Sequence, residues 1–172
     1  MTRTQFLYLG LFLVACTQAI ANSICGFWTT VSEKTKKPES VVAIYEYHDS
    51  VYGRLIGTYE RSTGKIVDTM YHPIERAPGV VGEPFYSGLD FIYNLKKSDS
   101  HYKGKIVDPE EGNVYNAELW INKGDLIVRG KILFFGRNQT WLPFKESEFT
   151  KDFPKPDVSK FVPVIPKVIN GN

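Results

Sequence analysis

Beyond residue 21 almost every segment of this chain alternates apolar and polar residues with period two, and short runs of Asp, Asn, Gly, Pro and Ser separate the segments. A strand side chain changes face at every residue, so this rhythm specifies half-buried strands and not helices. It places strands near 25–31, 40–48, 51–61, 85–97, 101–108, 113–121, 125–134 and 138–145, each rich in Val, Ile, Tyr or Phe. The connections His48 to Ser50, Lys97 to Ser100, Asp108 to Gly112 and Asn122 to Asp125 have the composition of hairpin turns. Sequential antiparallel strands in one open sheet would leave two edges unpaired, and closure removes them. The expected fold is therefore all-β, an eight-stranded antiparallel up-and-down barrel. A barrel of that size is filled by its own side chains or holds one small ligand.

Three segments break the rhythm. Thr63 to Pro84 contains Pro73, Pro78 and Pro84 and reads as a long loop with room for one helical turn. Residues 146–172 hold four prolines and several lysines among alternating Val and Ile, and read as an extended tail, draped over the barrel or free, and not as core. Residues 1–21 carry a basic Arg3, an apolar run from Phe6 to Ala15 and small residues at Ala19 and Ala21, the pattern of a secretory signal peptide. The ten-residue run is about half of the roughly 20 that a helix needs to cross a bilayer, so no mature transmembrane segment is expected. Cleavage after Ala21 makes 22–145 the barrel domain. A rival reading takes Leu13 to Cys16 as a lipobox, with Cys16 acylated as a lipid anchor. The two readings place the protein in the periplasm or outside the cell, or on the outer membrane as a lipoprotein. In both, Cys16 is removed or lipidated, so Cys25 has no intramolecular disulfide partner and reads as a small apolar strand residue.

The formal charge of +2 on 172 residues leaves no footprint for nucleic acid. Catalytic patterns are thin. His48, His72 and His101 fall at separate turns, and Asp68, His72 and Glu75 are read as a polar loop before a metal site. Asp108, Glu110 and Glu111 have the charge of a calcium turn but too few ligands at regular spacing, so a hairpin is preferred. Neither a metal nor another cofactor is implied, and no enzymatic activity is expected.

Gly26, Phe27 and Trp28 open the first strand. An indole there can plug one end of a barrel beneath a late-strand arginine, for which Arg129 and Arg137 are candidates. Together with the turn Asp108 to Tyr115, the strand Leu126 to Gly130 and the ending Gly136 to Trp141, this opening resembles the bacterial domain of unknown function 2147 over about residues 26–144. The resemblance implies a lipocalin-like, calycin-type barrel in exported proteins and no established activity. Gly26, Trp28 and Arg137 are the expected plug, because an indole buried at a barrel end needs a partner for its face and rim. The cysteine pair that many members carry in the loop matching 64–82 is absent here, so no disulfide or redox role carries over.

Glu46, Asp90, Glu118 and Arg129 interrupt apolar strands. On the outer face they cost nothing, whereas an inward charge would anchor a ligand head group. Parity leaves both faces open. A binding module for a small apolar or amphipathic ligand is the leading expectation, with Tyr93, Tyr115, Trp120 and Arg129 as its contacts. A structural or interaction protein of the envelope with a filled barrel is the alternative, and cavity volume discriminates between them.

Overall fold

The computed structural model describes residues 23–132 and 135–170; the leader, Cys16 included, lies outside them. Nine strands appear in chain order: β1 (Gly26–Val31), β2 (Pro38–Tyr47), β3 (Ser50–Tyr59), β4 (Ile66–Thr69), β5 (Asp90–Ser98), β6 (His101–Asp108), β7 (Asn113–Asn122), β8 (Asp125–Ile132) and β9 (Phe135–Pro143). All pairings are antiparallel. The sheet runs β2-β1-β9-β8-β7-β6-β5-β3-β4, and a further β2–β3 pairing closes β1–β3 and β5–β9 into an eight-stranded barrel. β4 hangs from the end of β3, with Thr58 opposite Asp68.

Two expectations change. The loop after β3 carries β4 and the isolated bridges Thr69–His72 and Arg76–Phe85, in place of a helical turn. The strand expected from residue 85 begins only at Asp90, because Leu89 N–H closes a turn on Tyr86 O and Gly88 takes a φ of 107° that favours glycine.

Interior packing joins Ile24, Trp28, Ile44, Leu95, Leu119 and Leu126 in one buried cluster. A second cluster lies outside the wall. β2 is buried on both faces from Ser40 to Tyr45, and the outward Val41, Ala43 and Tyr45 pack with Ile56 against Phe144, Phe153 and Phe161. The tail is thus draped over the barrel and shields it.

A buried ion pair fastens this strap. Arg54 on β3 grips Asp90 through Nε–Oδ1 at 2.8 Å and Nη2–Oδ2 at 2.7 Å, and Tyr45 Oη donates to Asp90 Oδ1 at 2.8 Å. The strap completes the network: Val164 N–H donates to Asp90 Oδ2 at 2.8 Å, Arg54 Nη2 donates to Val162 O at 2.9 Å, and the guanidinium lies 4.3 Å from the Phe161 ring centroid. Further along, Ile169 N–H donates to Gly79 O and Asn170 N–H to Gly112 O, tying the long loop to the β6–β7 turn.

Candidate ligand cavity

The two barrel ends differ because the hairpins differ. At the end carrying the β2–β3, β5–β6 and β7–β8 hairpins, Val51, Leu95 and Leu126 belong to the packed interior cluster. At the opposite end, where β1, β6 and β8 finish and β2, β7 and β9 begin, the interior holds a cavity of about 750 Å³. That volume lies within the roughly 300–1,000 Å³ of small-molecule sites.

Small residues make the room. Ala117 on β7 sits opposite Gly130 on β8, and a Cβ placed on Gly130 would find only Ile106 Cγ2, 3.9 Å away. Trp141 and Phe91 stack in the apolar lower part with ring centroids 6.3 Å apart, flanked by Leu55, Ile106 and Val128. Polar groups stand higher: Tyr115 on β7, Arg137 and Gln139 on β9, and Glu39 on β2. Gln139 Oε1 accepts from Trp141 Nε1 at 3.1 Å, which orients the indole. Tyr86 lines the wall opposite β9, and burial, followed by the charges of Glu110, Asp108 and Glu75, pushes its phenol up to about 12. It is a protonated donor at neutral pH.

This geometry can enclose an apolar body and present donors to a polar end. Residues 26–142 match the family model described as an uncharacterized protein conserved in bacteria, DUF2147. The chain belongs to that family. Among solved structures it is similar to protein HP1028 from the human pathogen Helicobacter pylori, described as belonging to the lipocalin family, with a TM-score of 0.59, 19% identity, and coverage of 73% of this chain and 86% of that one. The likeness establishes a lipocalin-like barrel. Comparison with curated proteins gives no match.

The DUF2147 barrel distributes the residues singled out in the sequence over three places. Tyr115 lines the cavity. Trp120 and Arg129 lie on the outer face, because β7 and β8 pair Glu118 with Arg129 while their neighbours Leu119 and Val128 enter the interior cluster. There Arg129 Nε donates to Asn138 Oδ1 at 2.6 Å, and the guanidinium lies 5.1 Å from the Trp120 ring centroid. His101 Nδ1 stands 3.3 Å from Glu118 Oε1 beneath the same indole. Tyr93 packs against the outer clusters that include strap residues.

The expected plug also divides. Trp28 is buried in the interior cluster, where its Nε1 donates to Ile24 O at 2.8 Å. Arg137 lines the cavity instead. The arginine placed over an indole is Arg129, and the indole is Trp120. Gly26 is required by its φ of 149° and not by crowding, since a Cβ there would stand 3.9 Å from Trp28 Nε1. Of the polar cluster, Asp68 is buried and its Oδ2 accepts from Glu75 N–H at 2.9 Å, which braces the loop. Asp108 Oδ1 accepts from Glu110 and Glu111 N–H at 2.9 and 3.1 Å, the geometry of a capped hairpin turn.

Phe91, Gln139 and Trp141 are cavity residues the sequence reading did not select. A signal existed: Arg137, Gln139 and Trp141 share one parity on β9, and an indole on that face marks it as inward.

Proposed function

We propose that this DUF2147 protein is a non-enzymatic binding protein, exported to the periplasm or beyond, that holds a small apolar or amphipathic molecule in the open end of its barrel. The observation that carries the reading is the cavity of about 750 Å³, floored by Trp141 and Phe91 and bordered by polar side chains above them. A barrel serving as a structural envelope element alone has no need of such a space and could fill it with its own side chains, as it does at the other end. Export is supported by the leader-like residues 1–21, with Cys16 as the lipid-anchor alternative.

Native mass spectrometry of protein purified from its own envelope tests the binding reading. A retained small molecule, displaced by a fluorescent amphiphile that quenches tryptophan emission, is the expected result. Absence of any retained mass, together with no saturable binding across lipids and apolar compounds, would leave the structural reading in its place. Intact-mass analysis of the mature chain, expected to begin at Asn22 or at an acylated Cys16, tests export separately.

A further inference from the structure

Resting on that reading, we infer that the ligand is a single-chain amphiphile with an anionic head, and that Arg137 is the residue that selects it. Arg137 lies on β9 with the inward parity of Gln139 and Trp141 and lines the cavity mouth. Among the described residues its side chain makes no hydrogen bond or ion pair. By contrast, Arg54 is committed to Asp90 and Arg129 to Asn138 and Glu118. A guanidinium at the rim of an apolar cavity can lay its stem along the wall and offer a planar fork of donors to a carboxylate or phosphate.

Its surroundings leave that charge effective. Glu39 also lines the mouth, but it belongs to β2, two places round the wall from β9. Among the described residues the two side chains form no ion pair. Asp108 is three places away on β6, and its Oδ1 is occupied by two backbone N–H groups. Opposite Arg137 in the ladder stands Gly130, which leaves lateral room for a head group. Trp141 is four positions beyond Arg137, about 13 Å along a strand, so an apolar chain anchored at the fork reaches the indole and Phe91.

The test titrates the full mature protein with dodecanoate, dodecyl phosphate and dodecanol, all below their aggregation limits, and follows tryptophan emission and heat. Wild type should bind at least one acid about 10-fold or more tightly than the alcohol, as expected for a charge-assisted fork; whichever acid gains more names the head group. Arg137→Gln should abolish that preference while leaving dodecanol unchanged. Arg137→Lys should retain part of it. Arg129→Gln on the outer face should change none of the three. Equal binding of acids and alcohol in wild type, or a preference that survives Arg137→Gln, overturns the inference and leaves the cavity reading standing. Failure of all three to bind also overturns the inference, and the cavity reading then stands or falls on the retained-ligand test above.

Discussion

Asp90→Asn removes one negative charge from the network that fastens the strap, and the structure allows its effect to be worked out. Asp90 is 2% exposed and accepts four hydrogen bonds, from Tyr45 Oη, Arg54 Nε, Arg54 Nη2 and Val164 N–H. An amide offers one acceptor oxygen where the carboxylate offers two, and its NH₂ would confront donors. The Arg54 side chain, 12% exposed, would keep its charge without a counter-ion. Breaking a buried pair from one side costs about 3–5 kcal/mol. At about 2–4 °C per kcal/mol for a domain of this size, the melting temperature should fall by on the order of 10 °C. Removing both charges in Arg54→Met/Asp90→Leu should cost less than the single change, because the orphaned cation goes with its partner. Urea unfolding followed by tryptophan emission and circular dichroism measures both, and amide exchange at Val164 reports whether the strap lifts first. A loss below about 1 kcal/mol for Asp90→Asn, or a double variant as unstable as the two single losses added, would refute this account of the latch.

Deleting residues 146–172 uncovers the outer face of β2 and removes the buried Phe153 and Phe161. At about 1.5–3 kcal/mol for each buried side chain, a cooperative destabilisation of at least about 3 kcal/mol is expected, and a truncated chain melting like the full one would show the strap to be dispensable. Trp28→Ala should cost about 3–5 kcal/mol in the same urea assay; a change under about 1 kcal/mol would contradict its place in the interior cluster. Tyr45 and Tyr86 both titrate above the usual phenol range, Tyr45 through burial and then the Asp90 charge. A raised folded pKa means that the folded state keeps protons the unfolded chain releases, so their stabilisation is complete below about pH 10 and is lost as pH rises, through about 12 for Tyr86. Urea melts between pH 9 and 12 should show stability falling with pH, less steeply in Tyr86→Phe; an unchanged slope in that variant would place the alkaline sensitivity elsewhere.

Seven of the eight barrel strands were legible from their composition and bounding turns to within three residues at either end, the last of them starting at Phe135 and not at 138, and β5 was displaced by the Tyr86–Leu89 turn that precedes it. Alternation is a property of neighbours along one chain, and hairpins are closed by residues adjacent in sequence, so both survive without knowledge of the rest. The unbroken run Ser40 to Tyr45 was a further signal, since a strand buried on both faces has no reason to alternate. Period-two reading passes over that run, and the cover on the outer wall came to light only with the strap in place.

Which face points inward is a different kind of fact. A period-two pattern has two equivalent phases, and Trp120 or Arg129 satisfies either until pairing sets Glu118 opposite Arg129 and directs Leu119 and Val128 inward. Arg137 could join Gln139 and Trp141 at a cavity only once β9 had closed against β1 and β8. The strap and Arg54 are linked by a bond between residues 108 positions apart. Sequence by itself determined the strands, their turns and the need to close, because those depend on local periodicity and on unpaired edges. Only the tertiary structure decided which charges are buried as a latch, which lie outside and which side chain stands free at the cavity mouth, because each depends on how strands distant in sequence close round the barrel and where the tail crosses it.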